Sequence, residues 1–293
     1  CSLSALKLLG VEITPTKTRV NLGDKANSAL DYAFNKGINP LFYTIHRSLK
    51  GGLFEKNHDK DGLAITRTTT ASLDDIIGNE TIKKEMKLVI EYMADYINFD
   101  RAGLKIDNIL LVGPTRTGKT YAVEILQGAI NAKFAQQGKH QNVALLKITP
   151  RLVKKYGIEE IINFALQYAP AIIFIDEIEL CGLQREQDQA MVSDMLIALS
   201  TTNRSEEKKV IIIGATNDVS KIDPALRQPG RFAKEIYFTY PSKNDRYEFL
   251  RRQLLERGIP LNQNFNTTIN ELAVYTSNTS YDGLKSLVNQ AFI

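Results

Sequence analysis

Short apolar runs recur through the middle of the chain, separated by stretches in which apolar residues have helical spacing. The runs are "NILLVG" (108–113), "NVALLKI" (142–148), "AIIFIDE" (171–177), "VIIIGAT" (210–216) and "EIYFTY" (235–240). Continuous β-branched runs between helices indicate parallel strands that are buried on both faces of a sheet. The pattern therefore predicts an α/β domain with a parallel five-stranded sheet between helices and right-handed crossovers.

The pattern changes on either side of this region and predicts three domains. Residues 1–70 carry turn formers and weak periodicity, with one possible short helix at 25–37, and we expect an accessory segment or linker of unknown role. Residues 71–240 form the predicted α/β domain, which opens with acidic residues before apolar positions at helical spacing. Residues 241–293 read as successive helices and predict a small all-helical lid. Because the sequence starts with Cys1 and stops inside the last helix, we expect a fragment with a truncated lid.

Composition narrows the function classes. The chain has 293 residues, and its 43% hydrophobic and 24% charged content is that of a globular protein. A net charge of +4, with scattered basic residues, argues against nucleic-acid binding. Two cysteines without paired spacing argue against disulfides and a cysteine zinc site, and fit a cytoplasmic protein. No apolar run approaches the roughly 18 residues of a membrane helix, so a membrane anchor would have to lie outside this sequence.

The first predicted strand runs directly into "GPTRTGKT" (113–120), and a helix follows. This strand–loop–helix order is the context that the phosphate-binding pattern G-x-x-x-x-G-K-[ST] requires. Backbone N–H groups of the loop point at phosphate oxygens, Lys119 reaches the outer phosphates, and the Thr120 hydroxyl binds Mg²⁺. The predicted cofactors are therefore ATP and Mg²⁺. The predicted nucleotide-binding residues here are Gly113, Pro114, Thr115, Arg116, Thr117, Gly118, Lys119, Thr120 and Tyr121.

Polar residues also follow the third and fourth runs, at the edge of the sheet where ligands bind in such folds. We predict that Asp176 holds Mg²⁺ and that Glu177 polarises the attacking water. An acidic pair that caps a helix is the alternative, and it is weakened by the phosphate loop upstream. Asn217 follows the fourth run and could orient the water. Arg231, beyond a Pro-Gly turn, could reach a neighbouring subunit's γ-phosphate, but its spacing alone favours an ordinary surface ion pair.

These motifs together resemble AAA+ ATPases of the AAA subgroup, and most closely the ATPase module of FtsH-type membrane proteases. The resemblance covers residues 72–293. It rests on "SLDDIIGNE", "GPTRTGKT", "APAIIFIDEIELCGLQR", "GATNDVSKIDPALRQPGRF", the "P…R" of "YPSKNDR" and "LAVYTSNTSYDGLKSLVNQA". The stretch from Asn217 to Arg231 is the most specific piece, because few other P-loop proteins carry it.

The resemblance implies a hexameric ring with ATP bound between subunits, acting on unfolded or misassembled proteins. It assigns Asn217 as the sensor residue and Arg231 as one of two arginine fingers. With Lys119 and Glu177, these are the predicted catalytic residues. It also implies an adenine-wrapping segment made of Asp75, Ile76, Ile77 and Gly78. Tyr156, in "LVKKYGIEE", resembles the pore-loop aromatic residue that grips a polypeptide, although a surface tyrosine at a helix start is the alternative.

The chain departs from the family pattern around the nucleotide. Thr115 and Arg116 stand where Pro and Gly are usual, and Gln228 occupies the position of the other arginine finger, beside Arg227. Tyr281-Asp282 replaces the usual Gly-Ala of the lid, and Lys155 replaces a hydrophobic residue of the pore loop. Each change affects nucleotide contact, activation between subunits or grip, and together they suggest slow or specialised hydrolysis.

Three functions follow from this pattern. The favoured one is an ATP-hydrolysing ring that unfolds or remodels proteins, possibly feeding an FtsH-like protease. The zinc motif H-E-x-x-H is absent from the sequence, and His46, His58 and His140 lie far apart. We therefore expect a protease domain either to follow residue 293 in a longer chain or to be missing. The alternative is a nucleotide-binding but weakly active subunit with a regulatory or structural role. A nucleic-acid motor is the third, and the small net charge argues against it.

Overall fold

The computed structural model describes residues 64–66, 72–184, 186, 188–202, 209–259 and 263–291. All of these residues belong to one compact unit, which spans residues 63–293. The predicted short helix at 25–37 and almost all of the predicted accessory segment lie outside the described residues. The domain boundaries at 70/71 and 240/241 therefore stay predictions.

Strands and helices alternate along the described part of the chain. The strands are β1 (Ala64–Thr66), β2 (Ile109–Val112), β3 (Ala144–Ile148), β4 (Ala171–Ile175), β5 (Val210–Thr216) and β6 (Lys234–Tyr237). The helices are α1 (Glu80–Ala94), α2 (Tyr96–Arg101), α3 (Lys119–Gln136), α4 (Pro150–Tyr156), α5 (Ile158–Leu166), α6 (Gln189–Thr202), α7 (Lys243–Leu255), α8 (Gln263–Tyr275) and α9 (Tyr281–Gln290). Short 3₁₀ helices lie at Leu73–Asp75, Ile178–Cys181, Val219–Lys221 and Pro224–Arg227.

The strands form one sheet in the order β1-β3-β4-β5-β2-β6. Strands β2 to β6 pair in parallel, which confirms the predicted α/β class and the five parallel strands. Strand β1 adds an antiparallel edge beside β3, with Ile65 opposite Leu146. It lies within residues 1–70, where the apolar pattern predicts no strand, because a three-residue strand is too short to show a period.

The sheet is buried on both faces, since every residue of β2, β4 and β5 is buried. Alternate residues enter two separate apolar clusters because successive side chains of a strand point to opposite faces. Leu110 and Ile173 pack with residues of α4, α5 and α6 on one face. Ile109 and Ile172 pack with residues of α1 and α3 on the other. The three-layer arrangement leaves the ends of the strands open to a ligand.

The segment that opens the predicted α/β domain contains a break between its acidic residues and α1. Gly78 and Asn79 both have positive φ, at 67° and 52°, and this left-handed pair separates the first 3₁₀ helix from α1. A Cβ at Gly78 would lie 2.1 Å from Asp245 Oδ1 of α7, so glycine is needed for conformation and for space. The segment before α1 therefore runs close to the lid.

Helices α7 to α9 lie within the predicted lid, by which name they are called below, and pack around a small core of their own. Leu250, Ile269, Leu284 and Val288 are the buried members of that core. The buried Arg246 guanidinium of α7 donates to Ala273 O of α8 at 2.6 Å and to Pro241 O at 2.7 Å. Among the described residues, no helix is both long and apolar enough to cross a membrane.

A buried ion pair lies at the start of β5, at the opposite end of the strand from Asn217. Lys209 Nζ is 3.4 Å from Asp100 Oδ2, and the two side chains are 0% and 3% exposed. The Tyr92 hydroxyl donates to Asp100 Oδ1 at 2.7 Å. Burial lowers the pKa of Lys209, an effect that Asp100 opposes. Lys209 and Tyr92 thus stabilise the Asp100 carboxylate, and water cannot replace them because the site is buried.

We predict that Lys209→Met lowers the free energy of unfolding by about 3–5 kcal/mol, because it leaves a buried carboxylate without its cation. Chemical denaturation of the purified chain measures this loss. The double variant Lys209→Met/Asp100→Asn should lose less, since a buried amide is cheaper to desolvate than a buried carboxylate. Equal stability of Lys209→Met and the unmodified chain would contradict the prediction.

Candidate functional site

The phosphate-binding pattern forms a tight loop between β2 and α3. Gly113 N donates to Thr216 O of β5 at 3.1 Å, so the loop leaves the sheet beside the end of that strand. A Cβ at Gly113 would lie 2.2 Å from Phe238 O, which explains the glycine at this position. Gly118 has φ 98° and precedes Lys119, the first residue of α3. The loop thus ends at a helix N-terminus, where backbone N–H groups are free to bind an anion.

Lys119 is buried and held by three oxygens. Its Nζ donates to Gly113 O at 2.6 Å, to Pro114 O at 2.8 Å and to Asn217 Oδ1 at 2.9 Å. Burial lowers the pKa of Lys119, and nearby carboxylates act in the opposite direction; they belong to Asp176, Glu179 and Glu177. Carbonyl and amide oxygens are weaker acceptors for an ammonium group than phosphate oxygens, so an anion in the loop would compete for this side chain.

Thr120 and Asp176 meet across the start of α3 and the end of β4. The Thr120 hydroxyl donates to Asp176 Oδ2 at 2.9 Å. A hydroxyl and a carboxylate at this distance form the all-oxygen donor set that Mg²⁺ prefers. Glu177 follows in the left-handed region, at φ 50°, and its side chain is exposed toward the cleft. Its N–H donates to Asp176 Oδ1 at 3.0 Å.

Glu179 is a site residue that the sequence patterns do not predict. Its Oε1 accepts from the Asn217 backbone N–H at 3.4 Å, and its Oε2 is buried with no hydrogen-bond partner among the described residues. The signal was present as a third acidic residue in "IDEIE", but a carboxylate two positions after the first pair has no assigned role in the pattern. The structure places it behind the Asn217 turn.

The loop, the strand ends and the lid enclose a cleft of about 800 Å³. The predicted residues that line it are Ile76, Ile77, Thr115, Arg116, Thr117, Gly118, Lys119, Thr120, Tyr121, Asp176, Glu177 and Asn217. Asp75 lines it as well, whereas Gly78, Gly113 and Pro114, which the sequence also predicts at this site, do not line it. On the lid side, Phe249 and Tyr281 face the cleft, and their ring centroids are 5.3 Å apart. The cleft therefore has a polar end at the loop and an aromatic end at the lid.

The predicted arginine finger and pore-loop residue lie away from this cleft. The half-buried Arg231 donates from Nη1 to Ala225 O at 2.6 Å. Tyr156 ends α4, where it packs half-buried against the core. Lys155 Nζ donates to the Tyr156 hydroxyl at 2.6 Å. The roles of Arg231 and Tyr156 remain predictions.

Arg227 is engaged elsewhere, next to the position where a second finger is usual. Its Nε donates to Glu235 Oε1 at 2.6 Å, and that hydrogen bond raises the pKa of Arg227. The neighbouring Gln228 is exposed and carries no charge.

Arg116 adopts the left-handed region, with φ 62°. Its Nε lies 3.6 Å from Asp282 Oδ2 of α9, and the two side chains are 73% and 63% exposed. The Arg116 guanidinium therefore contacts the lid in this structure.

The known proteins to which this chain is similar are ATPases or ATP-dependent proteases. Residues 109–240 match the family described as "ATPase family associated with various cellular activities (AAA)". The chain is similar to "ATP-dependent zinc metalloprotease FtsH 2" of Sphaerobacter thermophilus, with 33% identity over 76% of this chain and 34% of that protein. It also resembles the "ATP-dependent zinc metalloprotease YME1 homolog" of Schizosaccharomyces pombe, with 29% identity over 78% and 32%. "ATP-dependent zinc metalloprotease FtsH" of Alkalihalophilus pseudofirmus matches with 29% identity over 95% and 42%. The chain thus spans about a third to two fifths of these relatives.

We predict that Arg116→Gly unfolds with a free energy about 1 kcal/mol higher than Arg116→Ala. A non-glycine residue in the left-handed region lowers the free energy of unfolding by roughly 1–2 kcal/mol. Glycine avoids this strain but loses more backbone entropy on folding, which offsets part of the difference. Both variants lack the guanidinium, so the contact with Asp282 cancels in the comparison. Urea denaturation measures the difference, and an Ala variant as stable as the Gly variant would contradict it.

Proposed function

Residues 109–240 form a domain of the AAA family of ATPases, and from that premise we propose that this chain binds and hydrolyses ATP with Mg²⁺. The observation that carries the proposal is the meeting of Lys119, the Thr120–Asp176 pair and Glu177 in one cleft. Each comes from a different part of the loop or strand ends, and together they supply a cation, oxygen donors and a base. A cleft of about 800 Å³ is large enough for a nucleotide.

The loop residues bind and orient the phosphates in this proposal. Backbone N–H groups at the start of α3 bind phosphate oxygens, and Lys119 exchanges its contacts with Gly113 O and Pro114 O for the outer phosphates. Thr120 and Asp176 would hold Mg²⁺, and this ion would neutralise charge on the phosphate oxygens. Tyr281 and Phe249 at the aromatic end are suited to pack near the base, beside Ile76 and Ile77.

Glu177 acts as the general base. Its exposed carboxylate accepts a proton from water as the water oxygen bonds to the γ-phosphorus, and the bond to the bridging oxygen of ADP breaks. Asn217 Oδ1 accepts a hydrogen bond from Lys119 Nζ. Once Lys119 has moved to the phosphates, the Asn217 amide orients the attacking water. The contact between Glu179 and the Asn217 backbone supports this role by holding the turn that carries the amide.

We extend the proposal to ring assembly and protein substrates on the strength of the FtsH-named relatives. Arg231 would reach a neighbouring subunit's nucleotide after leaving Ala225 O, and Tyr156 would grip a polypeptide in the pore. A cytoplasmic site of action, or the cytoplasmic face of a membrane, and a homo-hexameric ring are part of the same proposal. The peptidase activity that those relatives' names carry is not extended to this chain.

A weakly active subunit is the second candidate function, and one contact favours it. Arg227 precedes Gln228 in the sequence and donates a 2.6 Å hydrogen bond to Glu235. Arg227 would have to break this bond to serve as an arginine finger. An arginine finger contributes about 10³–10⁵ in rate in related phosphoryl-transfer enzymes. Without it, the chain would bind ATP tightly and turn it over slowly.

We predict that Glu177→Gln lowers Mg²⁺-dependent ATP turnover by about 10²–10⁴-fold, because the amide cannot accept the proton from water. Binding of a fluorescent ATP analogue should persist, since the loop and Lys119 are untouched. Phosphate release by the purified chain measures the rate. Glu160→Gln, an exposed acidic residue of α5 outside the cleft, is the matched control and should match the unmodified chain. Equal turnover in Glu177→Gln and Glu160→Gln would refute the assignment.

The weakly active candidate predicts that Gln228→Arg raises turnover in assembled chains, by up to about 10³-fold. Gln228→Lys is the control, because it adds the same charge without the planar fork of a guanidinium. Phosphate release at a chain concentration high enough for assembly measures both. Unchanged turnover in Gln228→Arg would remove the missing finger as the cause of slow hydrolysis.

A further inference from the structure

The lid contacts the other wall of the cleft through three side chains. The Tyr281 hydroxyl of α9 donates to Ile77 O at 2.7 Å. Arg252 Nη1 of α7 donates to Asp74 O at 2.9 Å. Arg116 of the phosphate loop pairs with Asp282 of α9. These contacts join opposite sides of the cleft, so they must break whenever the lid moves away from it.

Tyr281 is the firmest of these contacts. It is half-buried, its ring packs against Phe249, and its hydroxyl has a short hydrogen bond to a backbone carbonyl. Burial, reinforced by the nearby Asp245, raises the pKa of Tyr281, so the hydroxyl remains a donor. Ile77 belongs to the segment that lines the cleft before α1. The contact therefore links the lid directly to the wall that faces the nucleotide.

The Arg116–Asp282 pair joins the phosphate loop to the lid at the edge of the cleft. Both residues line the nucleotide cleft, and both also line an open groove of about 530 Å³ along α9. The pair is thus part of the wall between the two spaces. The left-handed backbone of Arg116 is held by the surrounding structure, since such conformations persist only where neighbours enforce them. Asp282 is the side chain that meets the guanidinium.

The two contacts come from residues that the sequence singles out as departures from the family pattern. Arg116 lies in the phosphate loop and Tyr281-Asp282 in the lid, far apart along the chain, yet they meet across one cleft. A cation in the loop and a carboxylate in the lid can form an ion pair that connects the two directly. The Arg116–Asp282 contact thus accounts for two departures from the family pattern together.

We propose that Tyr281 and the Arg116–Asp282 pair are positioning contacts that hold the lid against the cleft and slow the release of bound nucleotide. The inference rests on the proposed binding of ATP and ADP. Arg116 acts through Asp282 and not as a phosphate ligand, and Tyr281 acts through Ile77. Each contact adds to the barrier for lid opening, which release of the nucleotide requires.

Displacement of N-methylanthraniloyl-ADP by excess ADP, followed by stopped-flow fluorescence on the full chain, tests the proposal. Tyr281→Phe should release the nucleotide roughly two- to tenfold faster, because it removes one hydrogen bond and keeps the ring. Arg116→Gln and Asp282→Asn should each speed release by about 1.5- to 5-fold, as expected for an exposed pair. Glu271→Gln, an exposed acidic residue of α8 that lines neither cleft, is the matched control and should release like the unmodified chain.

Combined variants separate a contact with the lid from a contact with phosphate. Arg116→Gln/Asp282→Asn should release no faster than the faster single variant, because both remove the same pair. The charge exchange Arg116→Asp/Asp282→Arg should return the release rate toward that of the unmodified chain. A phosphate ligand at Arg116 would behave differently, since the exchange would place an acidic residue beside the phosphates and speed release further.

Three outcomes would overturn the proposal. Release rates equal to the unmodified chain in Tyr281→Phe and Asp282→Asn would remove the lid contacts as a barrier. Faster release in Arg116→Gln together with faster release still in the charge exchange would make Arg116 a phosphate ligand instead. Failure of the unmodified chain to bind the analogue would refute the proposed nucleotide binding as well, which distinguishes that failure from the first two.

Discussion

The parallel register of β2, β4 and β5 is the constraint on which the rest of the site depends. Val112 lies opposite Thr216, and Ile175 lies opposite Gly214, so the three strands end within two residues of one another. Whatever follows them must share one edge of the sheet. That register places the loop after β2, the acidic pair after β4 and Asn217 after β5 around a single cleft. Residues remote in the chain become neighbours because the strands are buried and cannot slip.

The electrostatics of the site follow from the same placement. Lys119 is buried among the ends of these strands, where burial works against its charge and the adjacent carboxylates work for it. Its ammonium group is satisfied by backbone and amide oxygens that a more strongly charged acceptor would displace. Thr120 and Asp176 are likewise joined by a hydrogen bond, and the side-chain oxygens of both could bind a cation instead. Hydrogen bonds among the protein's own residues fix the positions of Lys119, Thr120 and Asp176, and such preorganisation lowers the cost of binding.

Much of this arrangement could be predicted from the sequence, and the failures have physical causes. The apolar runs predict the five parallel strands, since strands buried on both faces must be continuously apolar. The phosphate loop and the acidic pair are visible because their chemistry needs fixed residue types at fixed spacing. Strand β1 is too short to show a period, and the break before α1 depends on the left-handed Gly78 and Asn79. Glu179 and the Arg116–Asp282 pair depend on tertiary contacts that no local pattern encodes.

Hydrolysis of ATP by this chain is tested most directly by its dependence on Mg²⁺ and on the Thr120–Asp176 pair. Phosphate release from ATP by the purified chain should appear as Mg²⁺ is titrated in and should disappear when Mg²⁺ is chelated. Asp176→Asn, which keeps the shape and removes the charge, should need far more Mg²⁺ for the same rate. Turnover that is absent at every Mg²⁺ concentration, or that is identical in Asp176→Asn and the unmodified chain, would contradict the account.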